Sequence, residues 1–207
     1  MTNPSPARIV YVNGRFCPYA EAAIPIMDRG FLFGDGIYEV SAVLDGKLVD
    51  NEGHLRRLNR CLSEINIRNP HSIPEWVDLQ KRLIEMNALE EGLVYIEVTR
   101  GVWERDFTCP PDLQPSVVMF TQAKTLAESP AADAGVAVLS VPDQRWARRD
   151  IKSVNLLGQV IAKFAAKSAG FAEAWMVQDG FVTEGASSNA FIISDANAII
   201  TRPLSGT

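Results

Sequence analysis

Lys152 is the residue of this sequence whose side chain is best suited to covalent catalysis. It lies in the segment DIKSV, between a predicted strand and the start of a predicted helix. A solvated surface lysine is the ordinary alternative, and the sequence leaves it open. A lysine held in a pocket has its pKa lowered by burial or by a neighbouring cation. Its amine can then act as a nucleophile and form a Schiff base with a carbonyl group.

A second group of reactive side chains follows in TEGASSN, residues 183–189. Small hydroxyl side chains and free backbone N–H groups are suited to binding phosphate. Glu184 could hold a protonated ring nitrogen, and Arg57 could add a two-pronged hydrogen bond to the same phosphate. A plain polar turn explains the composition of this segment as well.

The glycine-rich stretch RGFLFGDGIYE, residues 29–39, also invites a functional interpretation. Its Gly34 and Gly36 are spaced like the start of a dinucleotide-binding fingerprint, but position 39 is Glu instead of Gly. We predict neither a strand before the stretch nor a helix after it, as that fingerprint requires. A turn in which the backbone reaches positive φ is therefore favoured.

These residues must be positioned by a mixture of strands and helices. Turn-forming pairs predict four hairpins, around Asn13-Gly14, Asp45-Gly46, Asp179-Gly180 and residues 195–197. Apolar spacing predicts three helices: one after Asn51 as N-cap with Leu55, Leu58, Leu62 and Ile65 on its buried face, one over Pro74–Asn87, and one over Asn155–Ser168 with Val160, Ile161 and Phe164 facing inward. The fold class is α+β, with helices packed against largely antiparallel sheets.

Composition points to two domains. Residues 125–135, TLAESPAADAG, are rich in Ala, Ser and Pro without periodicity, and we predict a linker there. A smaller α+β domain then occupies residues 1–124 and a second domain begins over residues 136–207.

Charge and composition exclude several classes of protein. The 207 residues carry 20 Lys+Arg against 25 Asp+Glu, a net charge of -5, which argues against nucleic acid as a partner. No apolar run is long enough to span a membrane, and the N-terminus lacks the pattern of a signal peptide. Three separated cysteines predict reduced thiols and a cytoplasmic location, and two histidines argue against a metal site.

Taken together, the motifs resemble one family in one order. The segments DRGFLFGDGIYEV, NEGHLRRLNR, VTRG, RWARRDIKSVNLLGQVIAK and VTEGASSNAF are similar to those of the fold-type IV aminotransferases that use pyridoxal 5'-phosphate (PLP), and most similar to the D-amino-acid aminotransferase branch. The likeness extends from about residue 8 to residue 203. It implies the two-domain fold-type IV architecture, in which residues 136–207 begin the larger, cofactor-binding domain.

The resemblance implies a role for each matching residue. Lys152 matches the lysine that binds the cofactor aldehyde as a Schiff base, and Glu184 matches the carboxylate that pairs with the pyridine nitrogen. Arg57 matches a phosphate-binding arginine. The other implied cofactor residues are Ser187, Ser188 and Asn189, and the implied substrate residues are Tyr38, Arg105 and, in place of a family histidine, Phe107.

The same resemblance implies an activity and partners. We expect transamination between a D-amino acid such as D-alanine and a 2-keto acid such as 2-oxoglutarate, by ping-pong exchange of the amino group. The implied assembly is a homodimer.

Two departures from the family pattern carry consequences. The D-amino-acid branch commonly has Arg-x-His in the loop that binds the substrate carboxylate, whereas this chain has Arg105-Asp106-Phe107. That exchange removes a hydrogen-bond donor and adds an apolar wall. It could shift the preference toward other substrates, including primary amines, or move carboxylate binding to Arg29 or Arg100, although Arg100 could equally be a solvated strand end. The second departure is that family members continue beyond the point where this sequence stops, so we expect a shortened record of a longer enzyme.

Other activities stay open on sequence grounds. A branched-chain aminotransferase, an (R)-amine transaminase and an aminodeoxychorismate lyase share the superfamily. From a different class, a truncated, non-catalytic fold that only binds a partner would also account for the missing C-terminal segment.

Overall fold

The computed structural model describes residues 7–128 and 130–203, which form two compact units. Unit 1 is the chain up to Ala127 together with Ile151–Val154, and unit 2 comprises Glu128–Asp150 and the residues from Asn155 onward. The change from one unit to the other after Ala127 falls inside the segment 125–135. The domain boundaries given above remain a proposal.

The elements of the described residues follow in chain order: β1 (Ile9–Val12), β2 (Arg15–Pro18), a 3-10 turn (Tyr19–Glu21), α1 (Arg29–Phe33), β3 (Gly36–Leu44), β4 (Lys47–Leu48), α2 (Asn51–Glu64), α3 (Ile73–Met86), β5 (Gly92–Thr99), β6 (Ser116–Ala123), α4 (Pro130–Ala134), β7 (Val138–Pro142), α5 (Leu157–Ser168), β8 (Glu173–Gln178), β9 (Phe181–Gly185), β10 (Phe191–Ile193) and β11 (Ile199–Thr201).

Unit 1 is built on an antiparallel sheet in the order β2-β1-β6-β5-β3-β4. The long strands β3, β5 and β6 lie side by side, with Tyr38 opposite Glu97 and Glu97 opposite Val118. One face of this sheet is buried and the other is only partly covered, because buried and half-buried residues alternate along all three strands.

Helices α2 and α3 cover the buried face of this sheet. Helix α2 contacts β3, and α3 contacts β1 and β6. The predicted apolar face of α2 is confirmed for Leu55, Leu58 and Leu62, which are at most 1% exposed. Helix α3 begins with a capping box between Ser72 and Glu75, which satisfies two backbone N–H groups of its first turn.

Asn51 is not the N-cap of α2, contrary to the prediction. Asp50 occupies that position with φ of 49° and no side-chain cap, and Asn51 begins the helix. The Asn51 amide instead donates to Gln80 of α3 at 2.7 Å, while its oxygen accepts from Ser41 of β3 at 2.7 Å. A buried polar network between helices and sheet has therefore replaced the local cap.

The glycine-rich stretch forms a turn, as predicted. Its first five residues form helix α1, and Gly34 follows as the C-cap with a φ of 67°, in the left-handed region. A side chain on Gly36 would lie 3.0 Å from the Val98 carbonyl oxygen, so β3 and β5 approach closely there. The stretch begins a strand after a short helix, which is the reverse of a dinucleotide-binding arrangement.

Unit 2 contains a three-stranded sheet in the order β7-β8-β9 and a separate β10–β11 hairpin. β7 and β8 are parallel, and α5 connects them and contacts both. All four predicted hairpins are present, at β1–β2, β3–β4, β8–β9 and β10–β11.

The inward-facing residues predicted for α5 are wrong. Val160, Ile161 and Phe164 are 44%, 52% and 65% exposed, whereas Ala162 and Ala166 are buried. The two alanines lie one turn apart on the same side of α5, and with Ala174 and Met176 of β8 they form the small apolar core of unit 2. The helix thus presents its small residues to the core and its large apolar residues to the outside.

Candidate active site

The segment Ile151–Val154 extends the unit 1 sheet along the free edge of β3. The Tyr38 N–H donates to the Lys152 carbonyl at 3.0 Å, and the Val154 N–H donates to the Gly36 carbonyl at 3.1 Å. The Lys152 N–H also donates to Cys61 Sγ at 3.4 Å. These bonds fix the backbone of Lys152 from both sides.

The side chain of Lys152 lies against Tyr38. Its Nζ is 4.2 Å from the centroid of the Tyr38 ring, which is the distance of a cation–π contact. The structure thus brings together the predicted Schiff-base lysine and the predicted substrate tyrosine. Lys152 is half-buried, so its side chain is neither fully exposed to solvent nor part of the core of unit 1.

Arg57 forms an ion pair with Glu39 on the buried side of β3. Its Nε and Nη2 donate to the two carboxylate oxygens at 2.6 and 2.9 Å, and His54 Nδ1 lies 3.0 Å from Glu39. Burial alone would raise the pKa of Glu39. Hydrogen bonds from Arg57 and His54, with the charges of Arg57 and Lys152, lower that pKa below its ordinary value.

This ion pair leaves part of the guanidinium available for a ligand. Arg57 is 44% exposed at its side chain, while Glu39 is 1% exposed. Glu39 therefore holds Arg57 from the protein interior, and the outer part of the same group faces outward. A bidentate carboxylate restricts the direction in which arginine can bind a second anion.

The loop after β5 contains the predicted carboxylate-binding residues. Phe107 is 83% exposed, and its ring lies 5.5 Å from that of Phe33. The guanidinium of Arg105 lies 5.8 Å from the same Phe33 ring. The structure thus brings Arg105 and Phe107 together over α1.

Arg29 and Arg100, the alternative carboxylate ligands, are both engaged inside unit 1. Each donates to Asp35, Arg29 at 2.9 Å and Arg100 at 2.7 and 2.9 Å. Arg29 also donates to the carbonyls of Asp106 and Phe107, at 2.6 and 3.1 Å. These contacts favour a role for Arg29 in shaping the loop over direct binding of a substrate.

In unit 2, Glu184 lies on β9 and forms an ion pair with Arg145. Asp143 binds the other side of this arginine, at 2.7 Å, and accepts from Thr183 Oγ1 at 2.7 Å. Burial alone would raise the pKa of Asp143, but the bonds from Arg145 and Thr183 lower it well below its ordinary value. Arg145 is thus a fixed cation beside Glu184, which is 38% exposed.

The turn after β9 is organised by Glu173 of β8. Ser187 Oγ and Ser188 Oγ donate to its Oε2 at 2.8 and 3.1 Å, and Lys163 Nζ lies 2.9 Å from Oε1. Burial alone would raise the pKa of Glu173, yet these partners lower it to about 2. Asn189 is exposed in the same turn.

Sequence reasoning missed the residues that hold the predicted ones. Glu39, Arg145 and Glu173 each bind a predicted site residue from another element. The spacing of His54 and Arg57, three residues apart on one face of α2, was the one available indication of a shared partner. Contacts across strands and between a helix and a sheet leave no comparable pattern in sequence.

Each unit, taken by itself, contains groups whose chemistry suits part of a phosphorylated pyridine aldehyde. Unit 1 provides an amine beside an aromatic ring and an arginine with one face turned outward, while unit 2 provides a carboxylate beside a fixed cation and a turn of hydroxyl groups. Among the described residues, no cluster of His, Cys, Asp and Glu is arranged to hold a metal ion. No described helix is long and apolar enough to cross a membrane.

Residues 36–207 match the family described as amino-transferase class IV. The chain belongs to this family and is a PLP-dependent transferase. Its relatives include the D-alanine aminotransferases of Staphylococcus aureus (strain MSSA476), 40% identical over 94% of this chain and 69% of the relative, and of Bacillus licheniformis, 38% identical over 94% and 68%.

Solved structures agree with this fold. The 4-amino-4-deoxychorismate lyase of Pseudomonas aeruginosa superposes with a TM-score of 0.74 at 28% identity, over 94% of this chain and 70% of that one. A branched-chain amino acid aminotransferase from T.th., solved with pyridoxamine 5'-phosphate, has a TM-score of 0.84 at 18% identity, over 97% and 69%. The predicted fold-type IV architecture, with helices on largely antiparallel sheets, is confirmed.

Proposed function

We propose that this enzyme transfers the amino group of a D-amino acid, such as D-alanine, to a 2-keto acid, such as 2-oxoglutarate. The observation that carries the proposal is the contact of Lys152 Nζ with the Tyr38 ring, on a segment fixed to β3 by backbone hydrogen bonds. The D-alanine aminotransferases at 40% identity support the D-configuration of the donor.

Lys152 is the proposed catalytic residue. Its Nζ would hold the cofactor aldehyde and would move a proton to and from the substrate Cα as a general base and acid. The cofactor, when bound, supplies the electron sink for the charge released at that carbon. The contact with Tyr38 keeps the amine on the open face of β3.

Glu184 is proposed to keep the cofactor ring protonated. A carboxylate beside the ring nitrogen would stabilise the proton there, and the ion pair with Arg145 holds Glu184 in place. Arg145 also pairs with Asp143, so its positive charge offsets the negative charge of Glu184 only in part. The Glu184 carboxylate is therefore held in one orientation.

Arg57 and the turn of Ser187, Ser188 and Asn189 are proposed to bind the cofactor phosphate. Arg57 would supply charge, and the turn would supply backbone N–H donors, since the hydroxyls of Ser187 and Ser188 already donate to Glu173. Glu39 and Glu173 orient these groups, since each accepts two or more hydrogen bonds from them. Arg105 and Phe107 are proposed to line the site of the substrate carboxylate.

A direct assay tests the proposal. The purified protein with PLP is given D-alanine and 2-oxoglutarate, and pyruvate is followed, with L-leucine and aminodeoxychorismate as alternative substrates. Pyruvate from D-alanine that requires 2-oxoglutarate supports the proposal. A branched keto acid from L-leucine, or pyruvate from aminodeoxychorismate without an acceptor, would replace it with one of the two related activities. No turnover of any substrate would favour a binding-only role.

We further propose that the enzyme is a cytoplasmic homodimer. Among the described residues, Cys17, Cys61 and Cys109 form no disulfide, which is typical of a reducing compartment. Ile26 and Phe31 of unit 1 are 76% and 77% exposed, which supports a contact surface there. Light scattering of the purified protein tests the assembly, and a monomer at micromolar concentration would contradict it.

A further inference from the structure

A half-buried acid, Glu97, lies in the same cross-strand row as the proposed catalytic lysine. The antiparallel bridge between Ile37 and Ser153 sets Lys152 opposite Tyr38, and Tyr38 is in turn opposite Glu97. Residues directly opposite each other on antiparallel strands project to the same face of the sheet. Lys152, Tyr38 and Glu97 therefore lie in line on the half-buried face, away from α2 and α3.

Tyr95 holds Glu97 in that position. The Tyr95 hydroxyl donates to Glu97 Oε2 at 2.8 Å, and the Tyr95 ring stacks on Tyr38 at 5.7 Å and 21°. Tyr95 thus connects the carboxylate of Glu97 to the ring that contacts the lysine amine. The orientation of Glu97 is set by the same aromatic layer that bounds the proposed substrate site.

A second acid, Asp28, acts on Glu97 through its charge and has an oxygen without a hydrogen bond among the described residues. Asp28 is 1% exposed, and its Oδ1 accepts from the Gly30 N–H at 2.8 Å. Its Oδ2 is buried without a hydrogen-bond partner among the described residues. Burial, together with the negative charge of Asp28, raises the pKa of Glu97, whereas the hydrogen bond from Tyr95 opposes that rise.

Two acids that act on each other in a partly buried site favour the binding of a cation. Their repulsion and the desolvation of each are relieved when a cation binds between or beside them. The described residues show no arrangement of three or more ligands for a metal ion here, which favours an organic cation. Within this row the cation of the chain itself is Lys152, on the other side of Tyr38.

We propose that Glu97, reinforced by the charge of Asp28, is a specificity-determining residue that favours amino donors with a cationic side chain over donors with an acidic one. This inference rests on the proposed function, because it assigns the side-chain end of the D-amino acid to the Glu97 side of Tyr38. The amino group of the same substrate reacts at the Lys152 side. D-ornithine and D-lysine are donors of the favoured class.

Three donors of equal carbon number test the proposal. D-ornithine, D-norvaline and D-glutamate each have five carbons and end in a cation, a methyl group and an anion. Values of kcat/KM are measured with pyruvate as acceptor, in the wild type, Glu97→Gln and Glu97→Asp. Glu85→Gln, an exposed residue of α3, is the control for loss of one negative charge.

We expect the ratio of kcat/KM for D-ornithine to that for D-norvaline to fall at least about tenfold in Glu97→Gln, the effect of losing one hydrogen bond between charged groups. The ratio for D-glutamate to D-norvaline should rise. Glu97→Asp should keep a higher D-ornithine ratio than Glu97→Gln, and Glu85→Gln should match the wild type. The loss for D-ornithine should lie mainly in KM.

Unchanged ratios in a Glu97→Gln variant that still turns over D-norvaline would overturn this inference and leave the proposed function standing. Should Glu97→Gln fail to fold, a Glu97→Asp variant without any preference for D-ornithine over D-glutamate would overturn it equally. No turnover of any D-amino acid by the wild type would overturn the proposed function, and the inference with it.

Discussion

Arg57 and Glu39 form a two-pronged ion pair, with Nε to Oε1 at 2.6 Å and Nη2 to Oε2 at 2.9 Å. The pair joins α2 to β3 at the level of Tyr38, the neighbour of Glu39 along the strand. The phosphate-binding arginine proposed above is therefore positioned by a carboxylate in the core. Its geometry depends on unit 1 being folded, independently of any ligand.

Replacing Glu39 with Gln should destabilise unit 1. The variant keeps the shape of the side chain but loses charged hydrogen bonds, which together contribute about 1.5–3 kcal/mol to the free energy of unfolding. Binding of PLP should also weaken, since Arg57 loses its orientation. Denaturant unfolding and PLP titration measure the two effects.

Glu52→Gln on the same helix is the matched control for Glu39. Glu52 pairs with Arg56 at the surface, and both side chains are more than two-thirds exposed. Such a pair contributes about 0.5 kcal/mol or less. Equal losses of stability in the two variants would show that the Glu39 pair has no special role.

Replacing Glu184 with Ala should leave the cofactor attached to Lys152 and slow transamination. Loss of one positioned electrostatic group at a reacting system commonly costs about a hundredfold or more in kcat. Single-turnover rates with D-alanine measure the effect, with Asp195→Ala in the exposed β10–β11 turn as the control. An undiminished rate would mean that protonating the ring is not the task of Glu184.

Glu173 should make the stability of unit 2 depend on acid. Its pKa is lowered from 4.5 to about 2, so its ionised form is stabilised by folding. That contribution is complete above about pH 4.5 and is lost as the pH falls toward 2. The difference in unfolding free energy between the wild type and Glu173→Gln should therefore be larger at pH 6 than at pH 3. A difference that does not change with pH would contradict the lowered pKa.

Replacing Phe107 with His should change the range of donors. The exposed Phe107 ring lies beside Phe33 and within the loop that contains Arg105, so a histidine there adds a hydrogen-bond donor near the proposed carboxylate site. We expect higher kcat/KM for small and dicarboxylic D-amino acids relative to apolar ones. Met86→His, at an exposed position of α3, controls for a histidine elsewhere. If the profile of the Phe107 variant is that of the wild type, the carboxylate is bound by other groups.

Local patterns predicted much of the fold. Asn13-Gly14 and Asp45-Gly46 form the expected turns because both residues of each pair adopt positive φ, which few other residues tolerate. The apolar positions of α2 were also predictable from local sequence, because helical spacing alone determines which side chains share a face.

Longer-range choices were not predictable from sequence. The spacing of Val160, Ile161 and Phe164 marks an apolar side of α5, but it does not tell which side faces the core of unit 2, and Ala162 and Ala166 do. Asn51 has a residue type suited to capping, yet Ser41 and Gln80 offer it better hydrogen bonds. In each case a tertiary contact overrides a local preference.

The candidate site divides in the same way. Lys152, Arg57 and Glu184 could be selected by chemistry and family resemblance. Glu39, Arg145 and Glu173, which orient the proposed site residues, could not be selected, since each acts on a residue of another element through a contact that only the fold creates. Glu97 is a further example, because its relation to Lys152 exists only through the register of three strands.

Covalent attachment of PLP at Lys152 is the central claim, and reduction followed by peptide mass spectrometry tests it directly. The protein is incubated with PLP, reduced with borohydride and digested, alongside Lys152→Ala and the control Lys167→Ala. We predict a phosphopyridoxyl group on the Lys152 peptide of the wild type and of Lys167→Ala, and no such group in Lys152→Ala. A label on another lysine, retained in full by Lys152→Ala, would contradict the account.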